Sequence, residues 1–495
     1  MGAGPKRWPW FAGGGSILLF AVLLLLRLGI PDGLFRYGKQ AETGGTVSIR
    51  PAETWMNLTQ EGRKIGYARR SWSQTESGFR YLEEIQMRIN TMGIVQPMAV
   101  RTEAELKPDR TLSSFRFDLR SNLFGFAARG TVSGRKLTLY SGTPGEEKQT
   151  MIDLAEIPYL GGGLLESVAA EEMQPGEGRR FSVFDPASLG QRQILITLIG
   201  EEALYVSGRN LRTRKFEVDF MGMKQMAWID EAGSIVRETG ILGIALNRVS
   251  REEALSGLEG AAGGDLAEIA SIPSSTPIDD PKEIRVLRVR ITGIDDHALA
   301  LDGGRQTWRG GVLTIRRESS AASRKPPAPP EDLLEASLAP TPLVQSDHPK
   351  IVKALREIIA PEDSAETKAG KIVSWVYKKL EKRPVLSVPN ALETLERRMG
   401  DCNEHAALLA AFSRAAGIPA QVEAGLVYLN GRFYYHAWNV LYLRNWGGWV
   451  TADAVMGQIP ADATHIRFVR GEIDRHLDLL GLIGRVKMEI LELER

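Results

Sequence analysis

The sequence predicts an α+β chain, and three observations carry that reading. Apolar and polar residues alternate with period two through most of the first half. A proline-rich break follows. Beyond it the apolar spacing becomes helical and then returns to strands. At 495 residues the chain is too long for one core, so two or three domains are expected. Lys and Arg number 62 against 61 Asp and Glu, which leaves no field to attract nucleic acid, and no basic stripe interleaves with aromatics. Nucleic-acid binding is therefore excluded as a function class. A single cysteine rules out an intramolecular disulfide, so the domains must rest on their cores.

Residues 1–39 read as a signal anchor. Lys6 and Arg7 precede the uninterrupted apolar run Ile17–Leu26. With Trp8–Ser16 the stretch approaches the ~20 residues that span a bilayer as a helix. Trp8 and Trp10 suit the interface. The run ends in Arg27-Leu28-Gly29-Ile30-Pro31 rather than a small-x-small cleavage site, which favours an uncleaved single-pass helix over a signal peptide. Charge on the N-terminal side expects that side to be cytoplasmic. In a bacterial cell the bulk of the chain would then be periplasmic, held at the inner membrane.

Residues 40–316 read as an antiparallel β-rich domain, in two parts split near 255–283. Alternation is clear in Phe79–Ile89, Ser114–Leu119 and Leu137–Tyr140. Turn signals stand at Glu76-Ser77-Gly78, Lys107-Pro108-Asp109 and Asp230-Glu231-Ala232-Gly233. A helix is expected at Leu164–Glu172. The pattern is that of a meandering sheet, a half-open barrel, serving as a spacer or as a lipid- or peptide-binding surface. Ile284–Arg290 and Trp308–Ile315 add a second strand group. Residues 317–345, with Lys325-Pro326-Pro327-Ala328-Pro329-Pro330, read as a semi-rigid linker.

Residues 346–470 carry the chemistry. Ile351, Leu355, Ile358 and Ile359 recur at helical spacing, and Glu366–Leu380 makes a second helix. Gly400 permits a turn before a helix from Cys402 to Ala416, which Gly417-Ile418-Pro419 ends. Cys402 thus heads a helix. Unpaired N–H groups and the helix dipole there favour a thiolate and a depressed pKa, and the same groups can donate to an oxyanion. The alternative is a small buried apolar residue, the common lot of free cysteines.

Arg432–Leu443 reads as a strand bearing His436. The turn Asn445–Gly448 joins it to Trp449–Asp453. Such a hairpin brings His436 near Asp453, and with Cys402 the three make an acyl-transfer set in the order Cys-His-Asp. Asp453 only orients the ring, so loss of its charge is expected to be milder than loss of Cys402 or His436. His405 points elsewhere, Trp438 and Asn439 serve strand packing, and His297, His348 and His476 stand alone. No residue spacing suggests zinc, and Gly161-Gly162-Gly163 lacks the Lys-Ser/Thr of a phosphate loop. No metal or cofactor is expected.

Gly400-Asp401-Cys402, the Ala/Leu-rich helix, Arg414–Ala420, His436-Ala437-Trp438 and Trp449–Asp453 together resemble the transglutaminase-like superfamily. So does the later Asp462-Ala463-Thr464-His465 run. The resemblance covers about a quarter of the chain. Thr54–Tyr67 and Met226–Arg237 loosely resemble β-domains that precede such domains in bacteria. The resemblance implies a papain-like α+β fold with Cys402 as nucleophile, His436 as base and acid, and Asp453 as orienter. It implies thiol acyl transfer or hydrolysis at amides of a protein or peptide substrate, without a cofactor. Val440 departs from the acidic residue common after the asparagine of the histidine strand. The rival is an inactive scaffold, or a lipid- or peptide-binding module. Residues 471–495 are expected to form a helical tail.

Overall fold

The computed structural model describes residues 52–495, save 123, 143–146, 170, 207, 221–222, 241, 259–261, 295–298, 320–328, 472–478 and 480. The expected anchor at 1–39 lies outside the described residues, as do His297, His476 and most of the proline run. Among the described residues no helix is long and apolar enough to cross a membrane. The chain divides into two compact units near Ile269.

In the first unit the expected meander is present. From Ala52–Gln60 to Lys148–Asp153, each strand pairs antiparallel with the next. The first strand also pairs with Ile244–Val249, from which a second run of hairpins leads back to Gly178–Asp185, and Tyr159–Leu160 pairs parallel with that strand. The result is a 15-stranded path whose two ends, among the described residues, do not pair with each other. Gly78–Thr91 shows the cause, since its alternate residues are buried while those between face outward. Tyr81, Phe117, Phe126, Phe184 and Phe216 fill the core. The expected helix forms over Leu164–Ala169. A charged cluster lies within this core. Arg70 sits buried against Glu83 at 2.8 Å and Glu238 at 3.0 Å. Burial raises the nearby Glu166 to about 7, against the lowering pull of Arg70.

The second unit runs from Ala270, leaving out Leu386–Val388. Val286–Thr292, Gln306–Arg309 and Val312–Arg316 do not extend the large sheet. They form a four-stranded sheet with Lys487–Glu494, so the expected helical tail is a strand at its end. Buried polar groups fix this segment to the rest of the unit. Arg305 donates to the carbonyls of Ala461 (2.9 Å) and His465 (2.7 Å), and Gln306 to that of Arg467 (3.0 Å). The expected linker also shortens. Glu331–Ala336 is helical, and Leu343 and Val344 are buried.

Among the described residues, four helices and a sheet build most of the rest. Helices α1 (Pro349–Arg356), α2 (Ala365–Lys379), α3 (Ala391–Arg397) and α4 (Cys402–Ala415) precede the sheet. Its strands are β1 (Ala420–Leu429), β2 (Arg432–Leu443), β3 (Gly448–Ala452) and β4 (Ile466–Arg470). All pair antiparallel, in the order β4-β1-β2-β3, and Ile272–Pro273 adds a short pairing to β2. Helix α4 is buried along nearly its whole length and packs on β2, with Trp375 of α2 edge-on to Phe412 at 5.4 Å. Gly425 of β1 shows why β4 lies so close: an added Cβ would stand 1.9 Å from the Ile466 carbonyl oxygen.

Candidate active site

Helix α4 starts at Cys402 for local reasons. Asp401 is the N-cap and accepts the Asn403 N–H at 3.0 Å, while Glu404 reaches back to the Asp401 N–H at 3.0 Å. Gly400 makes room for this capping box, because a Cβ there would stand 2.3 Å from the Cβ of Glu404. Asn439 of β2 donates to the Ala406 carbonyl at 3.0 Å and pins the first turn of the helix to the histidine strand.

Strand β2 runs over the residues expected and carries His436. Strand β3 ends just before Asp453, which turns the chain: its Oδ1 accepts the N–H groups of Val455 (2.6 Å) and Met456 (3.0 Å). Asp453 Oδ2 accepts from His436 Nε2 at 2.8 Å, so the expected histidine–aspartate pair is formed. An Nε2–H facing a carboxylate leaves the lone pair on Nδ1. That Nδ1 is buried and makes no hydrogen bond, to Cys402 included. The sulfur instead receives the N–H of Ala437, the residue after His436. All three predicted residues therefore come together in one place. The closing hydrogen bond between sulfur and imidazole is not made.

Cys402, His436 and Asp453 are all buried. This reverses the expectation of a depressed thiol pKa. Burial pushes the Cys402 thiol well up, and Asp401, Glu404 and Asp453 push the same way, outweighing the Ala437 N–H. For Asp453, burial opposes ionisation, but His436 and His465 outweigh it and hold the carboxyl well below its ordinary range. His405 donates Nδ1–H to the Asp401 carbonyl at 2.7 Å, and burial lowers it to about 4, so it stays neutral. Lys382 is half-buried over the Tyr377 ring at 4.2 Å, within electrostatic reach of Asp453. Trp438 donates to the buried Glu423 at 2.9 Å, a packing role as expected.

The sequence reading assigned no role to His465. It lies in the turn before β4, and its Nε2 stands 3.0 Å from the same Asp453 oxygen that serves His436. The Asp462–His465 run was a signal; the contact depends on the fold. His436, Asp453 and His465 have ligand atoms within 4.8 Å of one another, close enough to share a cation. Sequence spacing did not show this set, because its members come from three elements. Each of those atoms is already committed to a hydrogen bond within the set, as donor or acceptor.

The pattern of the transglutaminase-like superfamily matches residues 353–454, which include Cys402, His436 and Asp453 but not His465. Among solved structures the chain is similar to a candidate cysteine protease from Cytophaga hutchinsonii, at 17% identity over 43% of this chain and 85% of that one, TM-score 0.28. It is similar to a β-barrel-like protein from Brucella abortus, at 12% identity over 41% and 98%, TM-score 0.34. It is also similar to a candidate protease from Parabacteroides distasonis, at 13% identity over 67% and 64%, TM-score 0.19. No curated protein matches the chain.

Proposed function

Residues 353–454 form a transglutaminase-like domain, and from that premise we propose that the chain is a cysteine enzyme acting by acyl transfer or hydrolysis at amides of a protein or peptide. The observation that carries this reading is the His436–Asp453 bond, 2.8 Å long, which presents a bare Nδ1 beside the strand that contacts the Cys402 sulfur. As substrate enters, His436 Nδ1 takes the thiol proton while Cys402 Sγ bonds to the amide carbon. Because the resting thiol is held protonated, transfer and attack are coupled. In this reading the Cys402 N–H at the head of α4 donates to the oxyanion. His436 returns the proton to the leaving amine as the C–N bond breaks. The thioester then passes to water, giving hydrolysis, or to a second amine, giving a cross-link.

The test is incubation of the full chain with a peptide-amide library, with and without a primary amine, followed by intact-mass analysis. Conversion that is lost in Cys402→Ala supports the reading. Equal conversion by Cys402→Ala refutes it.

One observation favours a second reading. Cys402 is wholly buried and its thiol pKa raised, as in an inactive scaffold whose working surface is the β-domain. A peptidyl electrophile separates the two: stoichiometric modification of Cys402 in the native chain excludes the scaffold.

The apolar run Ile17–Leu26 behind Lys6 and Arg7 supports an inner-membrane anchor with the bulk of the chain periplasmic. A periplasm-dependent reporter fused after Arg495 should be active, and cytoplasmic reporter activity would reject this topology.

A further inference from the structure

We propose that His465 is a positioning residue of this site: a fixed imidazolium that shares the Asp453 carboxylate oxygen with His436 and so holds a positive charge beside the base. This rests on the acyl-transfer reading only for its catalytic consequence.

The charge follows from donors and acceptors. Asp462 Oδ1 accepts the N–H (2.9 Å) and O–H (2.6 Å) of Thr464, and its Oδ2 accepts from Gln458 Nε2 at 2.9 Å. Every named partner donates, so Asp462 is an ionised carboxylate. His465 Nδ1 faces only acceptors, Asp462 Oδ1 at 3.2 Å and the Asp462 carbonyl at 3.3 Å. His465 Nε2 faces Asp453 Oδ2 at 3.0 Å. A ring with an acceptor at each nitrogen carries both protons. Electrostatics agrees: burial works against the cation, but Asp462 and Asp453 outweigh it and hold His465 at about 9. Position is fixed as well. Arg305 grips the His465 carbonyl at 2.7 Å, and Trp438 lies edge-on to the ring at 5.2 Å.

A cation here bears directly on the base. The His436 and His465 rings are 5.8 Å apart and compete for one carboxylate oxygen. His465 therefore opposes a second proton on His436 and keeps Nδ1 bare for the thiol. Lys382 acts in the same sense. Asp401 and Glu404 at the head of α4, and Asp462 itself, act in the opposite sense; His405 is neutral and Cys402 is a thiol. A variant of His465 alone leaves all of these in place.

The test uses the full chain, ¹⁵N-labelled at histidine, with the His465 signals assigned by their loss in His465→Gln. Glutamine keeps an N–H donor for Asp453 and removes the charge. Wild type should show His465 protonated on both nitrogens at pH 7.5. In His465→Gln the His436 ring should take up its second proton at higher pH, and the acidic limb of the kcat/KM profile should move up with it. Asp462→Asn, which loosens the cation without touching Asp453, should move both in the same direction by less. A neutral His465 at pH 7.5, an unmoved His436 titration, or a metal ion that survives dialysis would overturn the proposal. A purely structural role would lower the rate without moving the limb. If wild type shows no acyl transfer, the functional reading falls, and the imidazole titrations still decide the charge and influence of His465.

Discussion

Asp453→Asn is a harsher perturbation than its near-identical shape suggests. Oδ1 accepts two backbone N–H groups and Oδ2 accepts two imidazoles, at 2.8 and 3.0 Å. An asparagine that keeps the backbone bonds must put its NH₂ where Oδ2 was, facing two donors. His436 can restore a bond only by moving its proton to Nδ1, which removes the lone pair meant for Cys402. The expectation of a mild effect, drawn from the sequence, treated Asp453 as serving one partner. Losing one charge-assisted bond costs ~1.5–3 kcal/mol, or roughly ten- to a hundred-fold in rate at about 1.4 kcal/mol per decade. The inverted tautomer adds much of the ~10²–10⁴ due to general acid–base catalysis. A loss on the order of 10³ in kcat/KM is expected, comparable to His436→Ala. The bracketed His465 also loses a partner, and breaking a buried ion pair costs about 3–5 kcal/mol, so the urea midpoint should fall too. The assay pairs amide-hydrolysis kinetics with urea unfolding. Activity within about tenfold of wild type, with the midpoint unchanged, would refute the shared-oxygen reasoning.

Three further outcomes follow from the same structure. Alkylation needs the thiolate, and burial raises the Cys402 thiol; iodoacetamide labelling of native protein should therefore be slow at pH 7 and still climb above the ~8.5 of a free cysteine, and a midpoint in the acidic range would contradict this. Glu166 is raised to about 7 by burial. Its folded pKa exceeds its unfolded one of ~4.3, so its contribution is fully present below pH ~4.3 and is lost as pH rises towards 7. Glu166→Gln should raise the unfolding free energy from urea titration at pH 8 but not at pH 4, by up to about 4 kcal/mol, and an equal effect at both would remove the claim. Gly425→Ala places a Cβ 1.9 Å from the Ile466 oxygen. It should push β4 away, costing on the order of 2 kcal/mol or more and releasing His465 from Asp453, which circular dichroism melts and the His465 imidazole signals would register.

Local features of the site were legible in the sequence because local chemistry set them. The turn at Gly400 and the glycine–proline stop bound α4, and an aromatic, apolar run closed by the Asn445–Gly448 turn marks β2. The large meander was legible for the same reason, being hairpins between chain neighbours. Non-local pairing was not. Lys487–Glu494 is rich in Glu and Leu, which favour helices, and becomes a strand because Val286–Thr292 lies beside it. Arg305 and Gln306, which tie the 284–318 segment to the later chain, look like ordinary surface residues in sequence. The thiol pKa was misjudged because helix position is local and burial is not. His465 joined the site for a further reason: the missing side chain of Gly425 lets its strand approach.

The most direct test of the proposed chemistry is to trap the thioester. Full-length protein mixed with excess peptide amide, quenched in acid within one turnover and digested for mass spectrometry, should carry the acyl mass on Cys402. That adduct should disappear in Cys402→Ala, be strongly reduced in His436→Ala, and be released by hydroxylamine. Turnover with no acyl mass on Cys402 at any time point would contradict the assignment of Cys402 as nucleophile.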